Sequence, residues 1–392
     1  MLAALGPVAD RPLDLPAPDD SFLSDDHTPV EFSLSFTPDA DPTLRVLLEP
    51  GCGAGDLARN GRTGLRVVRE MARRWGFGTK PLDDVEDLFF PAAPEGPLAL
   101  WCALELLPGG IPKLKVYLNP AASGQERSAW TVREALRRLG HRQAFTSLPG
   151  GDRHLFLALD LGDWDEPRVK VYLAHQDLSA REAAELSRVD GARERREIST
   201  FFRMAAGDGT GAPGLTPQAA ATGALPTEAG SASADFALDA GPAAFDLGAG
   251  PAALDAAALD PDAARGPRPA RRPVQSCHAF TGTTSGRPSG FTLYIPVRDY
   301  APHDGVALDR AVAVLRRYGM DPAPLVRAVS AVTSRRPEDG VGLIAYVGLV
   351  HQQGRAPRVT VYLSSEAYEV RPPAPATTSR TAAALGGAPA PG

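Results

Sequence analysis

Four short stretches of this chain place basic or hydroxyl-bearing side chains and a tyrosine at every second position, with aliphatic residues between them. Pro167-Arg168-Val169-Lys170-Val171-Tyr172-Leu173 is the fullest copy. Leu114-Lys115-Val116-Tyr117-Leu118 and Arg358-Val359-Thr360-Val361-Tyr362-Leu363 repeat it, and Phe291-Thr292-Leu293-Tyr294-Ile295 is a weaker version. Alternation with a period of two marks a strand with one polar and one apolar face. If helices cover the apolar side, the cations and tyrosines must line an interior. Four such strands build a basic, aromatic-walled chamber.

Two other stretches carry residue types that do chemistry. Asp83-Asp84-Val85-Glu86-Asp87 has the spacing with which aspartates bind magnesium diphosphate. Phe89-Phe90-Pro91 follows at once and no long apolar helix surrounds it, so a charged helix end or loop is expected. Arg45-Val46-Leu47-Leu48-Glu49-Pro50-Gly51-Cys52-Gly53-Ala54-Gly55-Asp56 looks like the strand and glycine-rich loop of an S-adenosylmethionine methyltransferase. That fold needs a second strand after the next helix, ending in an acidic residue for the ribose. None follows here.

The elements that must hold these residues come in a repeating order. Strand pairs are expected at 29–36 and 44–48, 98–106 and 113–118, 154–161 and 168–174, 276–281 and 290–297, and 342–350 and 358–363. Helices are expected at 64–75, at 129–139 with Trp130 on or near its apolar face, over most of 179–204 with a break near Gly191, at 308–318 and at 323–332. Ser179 with Glu182 three residues on reads as a capping box. Connections within pairs are short, which implies antiparallel hairpins. Five helix-covered hairpins can close into one ten-stranded antiparallel barrel, an α+β architecture with helices outside and polar residues inside; closure removes the sheet edges. The expected organisation is an irregular N-terminus over 1–27, three units over 28–204, a low-complexity, disordered insertion over 205–273, two further units over 274–370 and a disordered tail over 371–392.

Composition narrows the classes. The formal net charge of -6 argues against general nucleic-acid binding but leaves room for a local basic pocket. Cys52, Cys102 and Cys277 are scattered without metal-ligand spacing, which suits a reducing cytoplasm. No apolar run is long enough to span a membrane, and the N-terminus lacks the basic start and sustained apolar core of a signal peptide.

With the strands in this order, the chain resembles the dimethylallyltryptophan synthase family of aromatic prenyltransferases, in its bacterial branch. The stretches that carry the resemblance are Thr28-Pro29-Val30-Glu31-Phe32-Ser33, Arg45 with Glu49-Pro50, Lys115-Val116-Tyr117, Arg168-Val169-Lys170-Val171-Tyr172, Tyr294-Ile295-Pro296-Val297-Arg298 and Arg358-Val359-Thr360-Val361-Tyr362. The resemblance spans roughly 5–370 apart from the insertion. It implies an αββα barrel and transfer of a dimethylallyl group from dimethylallyl diphosphate to an indole, above all L-tryptophan, in secondary metabolism, with no cofactor and no obligatory metal.

The resemblance also assigns roles. Arg45, Lys115, Arg168, Lys170 and Arg358 match the diphosphate-binding set, where forked guanidinium and point-charge ammonium groups stabilise the leaving group. Tyr117, Tyr172, Tyr294 and Tyr362 are expected to shield the allylic cation with their ring faces. Glu31 is expected to accept a hydrogen bond from the indole N–H. Tyr346 and His175 are weaker candidates, the former for the aromatic shield and the latter as proton acceptor or substrate contact, although an outer-rim histidine is the favoured reading of His175. Three departures are visible. The strand at 98–106 has no lysine to serve as the base that some fungal members are thought to use. Thr292 and Thr360 stand where some relatives carry larger polar residues. Only 27 residues precede Thr28, so an outer helix of the first unit is expected to be missing. The remaining alternatives are the methyltransferase reading and a non-enzymatic binding barrel.

Overall fold

The computed structural model describes residues 2–17, 21–162, 164, 167–188, 192–207, 272–282, 286–352 and 354–373. Most of the low-complexity insertion expected over 205–273, and of the tail expected over 371–392, lies outside the described residues.

Ten strands form one closed barrel: β1 (Val30–Phe36), β2 (Thr43–Leu48), β3 (Leu100–Glu105), β4 (Lys113–Leu118), β5 (Arg153–Leu161), β6 (Val169–His175), β7 (Val274–Phe280), β8 (Gly290–Ile295), β9 (Ile344–Gln352) and β10 (Arg358–Ser364). Each strand pairs antiparallel with its sequence neighbour, and β10 pairs with β1 to close the ring. No parallel pair occurs among the described strands, so the sheet is not the parallel one that a methyltransferase reading of Arg45–Asp56 needs. The glycine-rich loop instead makes a tight turn into a helix. Gly51, at φ 97°, would bring an added Cβ to 2.6 Å from the Asn60 carbonyl oxygen, a fit only glycine allows.

The period-two pattern sorts the side chains as expected. The aliphatic residues Val116, Val171, Leu293 and Val361 face outward into two apolar shells, while Tyr117, Tyr172, Tyr294 and Tyr362 belong to a separate inner cluster. Among the described residues, six helices of seven residues or more cover the outer shells: α1 (Leu57–Trp75), α2 (Ser128–Arg138), α3 (Ala180–Leu186), α4 (Ala192–Ala206), α5 (Asp304–Arg317) and α6 (Ala323–Val332). α1 starts seven residues before the expected 64, because the Asp56 side chain caps it by accepting from the Arg59 N–H. Its Gly61 and Gly64 pack so closely on Phe90 and Leu100 that an added Cβ would meet them at 2.8 and 3.2 Å. The capping box at Ser179 and Glu182 is formed.

Two outer expectations are corrected. Trp130 is 49% exposed, its ring under the Arg127 guanidinium rather than on the apolar face of α2, which is filled by Val132, Ala135 and Leu136. The N-terminal stretch is not wholly irregular. Leu2–Leu5 forms a helical turn followed by a tighter turn over Gly6–Asp10, and Ala4 and Leu5 are buried in the outer shell against which Val30 and Phe32 of β1 pack. Among the described residues no helix is long and apolar enough to cross a membrane.

One buried aspartate ties the helical layer to the barrel. Asp304, at the start of α5, accepts from the Gly342 N–H (3.0 Å) and the Ile344 N–H (3.2 Å) at the beginning of β9, and from Arg335 Nη2 at 2.5 Å. Removing it orphans two backbone donors and leaves Arg335 with only one of its two carboxylates, Glu366. Asp304→Ala is expected to destabilise the fold by about 3 kcal/mol, read as a lower urea midpoint, whereas Leu13→Ala, at a 64% exposed position, is expected to leave the midpoint unchanged.

Candidate active site

The strand registers stack the inward side chains in layers. Strands of a closed barrel tilt, so residues at one height come from alternate strands. Tyr117, Tyr172, Tyr294 and Tyr362, with Leu47 on β2, form one such layer from the even-numbered strands. Each is paired on one side with a member of the layer above and on the other with a member of the layer below. Tyr362 pairs with Tyr346 and Ser33, Tyr294 with Gln275 and Gly348, Tyr172 with Phe156 and Cys277, Tyr117 with Trp101 and Ala158, and Leu47 with Glu31 and Ala103. The upper layer is therefore Glu31, Trp101, Phe156, Gln275 and Tyr346. The lower one, Ser33, Ala103, Ala158, Cys277 and Gly348, consists only of small side chains.

The tyrosines make a continuous arc. Ring centroids lie 5.7 Å apart for Tyr117–Tyr172, 6.0 Å for Tyr172–Tyr294, 6.0 Å for Tyr294–Tyr362 and 6.5 Å for Tyr346–Tyr362. Burial raises the phenol pKa values of Tyr117, Tyr172 and Tyr294 well above the ordinary value, so these rings stay neutral. The fifth place in the layer belongs to Leu47, and the arc is open there, beside Glu31. Tyr346, a weaker candidate from sequence, joins the same wall one layer up.

Beneath the small layer come the cations. Arg45 pairs in register with Ser33 and Glu105, Lys115 with Ala103 and Asp160, and Lys170 with Ala158. Arg45 Nε donates to Glu105 Oε2 at 3.1 Å, Arg168 Nε donates to Asp160 Oδ2 at 2.7 Å, and Lys115 Nζ lies 3.6 Å from Asp160 Oδ1. All five predicted cations, Arg358 included, are buried. Their mutual influence is visible in their pKa values. Burial, with Arg168 and Arg45 adding to it against Asp160, lowers Lys115 to about 8. Burial, Lys115 and Arg168 push Lys170 well below its ordinary value. Burial and then Arg45 and Arg168 also lower Arg358, although a guanidinium keeps its proton. Asp160 is held below the usual carboxylate range because Arg168, Lys115 and Lys170 outweigh its burial.

The mouth above the upper layer is covered by the segment 21–28. Leu23 is fully buried in the inner cluster, and Ser21 Oγ donates to Glu49 Oε2 at 2.8 Å. Asp25 of this segment meets Arg272 Nη2 at 2.7 Å and Arg298 Nη1 at 3.3 Å, and the Arg298 guanidinium sits 5.1 Å from the Tyr346 ring centre. Glu31 is buried nearby in the upper layer. Arg45 lies three layers below it and pairs with Glu105 Oε2 at 3.1 Å.

His175, a weaker candidate from sequence, lies on the outer face. It follows Tyr172 by an odd number of residues and so faces outward. Its Nε2 lies 2.8 Å from Ser276 Oγ, which is 3.1 Å from His278 Nε2, all outside the barrel wall, and burial lowers the His175 pKa to about 4. The aspartates at 83–87 also lie outside. Asp83 and Glu86 take Arg69, and Asp87 takes Arg138, so they act as helix-end ion pairs. Sequence reasoning missed Trp101, Glu105, Phe156, Asp160 and Gln275 as wall residues. The signal was present in β5, where Phe156, Ala158 and Asp160 alternate with Leu155, Leu157 and Leu159, but no cation or tyrosine flagged it.

The space under the arc is sensitive to one glycine. A Cβ on Gly348 would lie 3.0 Å from Tyr294 Cδ1 and 3.1 Å from Cε1. Gly348→Ala is expected to push the Tyr294 ring off its seat and to raise the KM for a prenyl donor several-fold without a matching loss of stability, measured by initial rates alongside thermal unfolding.

Comparison with known proteins bears on what such a chamber serves. Residues 2–206 match the family model described as tryptophan dimethylallyltransferase. A crystal structure of the prenyltransferase PriB in a ternary complex with L-tryptophan and dimethylallyl thiolodiphosphate is 55% identical, with a TM-score of 0.78, over 96% of this chain and 90% of that one. The 5-dimethylallyl tryptophan synthase from Streptomyces coelicolor, solved with DMASPP and Trp, is 56% identical over the same shares with a TM-score of 0.76. The 6-dimethylallyltryptophan synthase from Micromonospora olivasterospora, also with DMASPP and Trp, is 36% identical over 95% of this chain and 92% of that one, with a TM-score of 0.75. A closed antiparallel barrel with a cationic floor, an aromatic middle and these relatives places the chain in the bacterial branch of the tryptophan dimethylallyltransferase family of aromatic prenyltransferases, to which it belongs.

Proposed function

We propose that this protein transfers a dimethylallyl group from dimethylallyl diphosphate to the indole ring of L-tryptophan by electrophilic aromatic substitution. The observation that carries the reading is the order of the layers: cations, then small residues, then neutral aromatic rings, then a buried carboxylate. That is the order of a prenyl diphosphate with its acceptor stacked above it.

In this reading Arg45, Lys115, Arg168, Lys170 and Arg358 hold the diphosphate. They take up the charge that develops as the C1–O bond of the donor breaks and its electron pair leaves with the diphosphate oxygen. The five-carbon allylic cation occupies the small layer of Ser33, Ala103, Ala158, Cys277 and Gly348. The ring faces of Tyr117, Tyr172, Tyr294 and Tyr362 stabilise it without capturing it, and Tyr346 extends this wall towards the acceptor. Glu31 accepts a hydrogen bond from the indole N–H, which turns the ring face to the cation and raises its electron density. A ring carbon bonds to the cation, and loss of the proton on that carbon restores aromaticity. The segment 21–28 and the outer helices exclude water, which would otherwise trap the cation.

The direct test mixes purified protein with dimethylallyl diphosphate and L-tryptophan, with and without EDTA. The expected result is a tryptophan product heavier by one prenyl unit in both arms. No prenylated product with tryptophan, simple indoles or tryptophan-containing cyclic dipeptides overturns the reading, and loss of activity in the EDTA arm overturns its use of protein cations alone. Glu31→Gln keeps the size of the side chain but removes its charge. It is expected to lower kcat by roughly a hundredfold while leaving the KM for the donor within a few-fold, and unchanged turnover removes Glu31 from the mechanism.

The pH dependence follows from Lys115, which titrates at about 8 in the free protein. A bound diphosphate raises that pKa by opposite charge, so the protonated form binds better. The contribution of Lys115 to donor affinity is therefore full well below pH 8. It falls above pH 8 by up to about tenfold per pH unit, until the pH reaches the raised pKa of the complex. The KM for dimethylallyl diphosphate between pH 6 and 10 measures this, and Lys115→Arg is expected to flatten the rise.

A further inference from the structure

The upper layer holds a primary amide that the proposed mechanism does not use. Gln275 on β7 shares this layer with Glu31, Trp101, Phe156 and Tyr346. Its neighbours in register are Ala174 and Tyr294, both of the inner cluster, so its side chain projects into the barrel. It is fully buried, and neither its amide oxygen nor its amide nitrogen meets a protein hydrogen-bond partner. A buried primary amide left this way costs free energy, because it has given up water at both atoms. Such a group is expected to be matched by something that enters the site.

The position says what that something is. β7 lies across the barrel from β1, with Trp101 and Phe156 between them on one side and Tyr346 on the other. A flat ring held at its N–H by Glu31 and walled by these aromatic side chains points its far substituent toward Gln275. The floor cations are three layers lower: Gln275 is above the tyrosines, and the tyrosines are above the small residues that separate them from Lys115 and Lys170. The amide is thus placed for the acceptor and not for the diphosphate. Its chemistry is also suited to a zwitterion, since the oxygen accepts from an ammonium while the N–H donates to a carboxylate. Two cations near the mouth, Arg298 and Arg272, lie against Asp25.

We infer that Gln275 is the specificity residue for the amino-acid arm of the acceptor: its amide binds the α-ammonium and α-carboxylate of tryptophan, and so selects a free α-amino acid over an indole that lacks one. This rests on the tryptophan reading above.

The test compares the parent protein with Gln275→Leu and Gln275→Glu, using L-tryptophan, tryptamine, indole-3-propanoate and 3-methylindole as acceptors or competitive inhibitors. In Gln275→Leu the KM for L-tryptophan is expected to rise at least tenfold with kcat within about threefold, while the constants for 3-methylindole stay within twofold. In Gln275→Glu the new carboxylate repels the substrate carboxylate, and the preference for tryptamine over L-tryptophan is expected to rise at least tenfold. Binding of inorganic pyrophosphate, unchanged in both variants, reports that the barrel is folded. Equal changes for tryptophan and 3-methylindole in Gln275→Leu, or an unchanged tryptamine preference in Gln275→Glu, overturn the inference; either variant decides it if the other does not fold. Failure of the parent protein to prenylate tryptophan overturns the functional reading itself, which is a different outcome.

Discussion

Like charges repel strongly in a poorly solvated interior, and this barrel gathers Arg45, Lys115, Arg168, Lys170 and Arg358 at one end of its inside. Among the described residues, Glu105 and Asp160 form ion pairs with Arg45, Lys115 and Arg168 of this set. With all five cations protonated, two carboxylates leave an excess of three positive charges among these groups. Part of the repulsion is relieved by proton loss, as the lowered pKa values of Lys115 and Lys170 record. The rest has to be carried by the stability of the surrounding structure. Closure of the sheet, the two outer apolar shells and ties such as Asp304 to β9 supply it. A diphosphate entering this floor is the counter-charge, so the strain is relieved only when the donor is bound.

The chamber above the floor is a consequence of strand geometry rather than of any one residue. Alternation sends every second side chain inward, and strand tilt offsets neighbouring strands by about one residue, so layers draw from even and odd strands in turn. Even strands supply the cations and the tyrosines. Odd strands supply the small residues between them and the acceptor-facing layer above. The two halves of the reaction are thereby separated along the barrel axis: charge at the floor, carbocation in the middle, ring and amino-acid arm near the mouth.

Much of this was legible in the sequence. The repeated Arg/Lys-x-Tyr phrase fixed which strand face is interior, and five hairpins with helical covers left a closed barrel as the consistent arrangement. The lost parts have physical causes. Hairpin registers depend on turn and bulge geometry that local pattern does not show: a register shift between His154 and Phe156 sets Phe156 beside Tyr172, and nothing in sequence put Gln275 beside Tyr294. His175 was a candidate only through its place just after Tyr172, and its parity already put it on the outer face. Trp130 was read as core from its helix position, but the helix face turns by 100° per residue and Val132, Ala135 and Leu136 fill the contact. The buried carboxylates Glu105 and Asp160 went unflagged because strand carboxylates are usually solvated.

The central claim is that the barrel floor is strained by excess positive charge which the donor's diphosphate neutralises. Thermal unfolding with and without inorganic pyrophosphate, at constant ionic strength with sulfate as the control anion, tests it most directly. Ligand at a hundred times its dissociation constant stabilises the folded state by about 2.7 kcal/mol. The account predicts a rise of several degrees in the unfolding temperature with pyrophosphate, well beyond that with sulfate, and loss of the rise in Lys170→Ala. Equal unfolding temperatures in pyrophosphate and sulfate would contradict it.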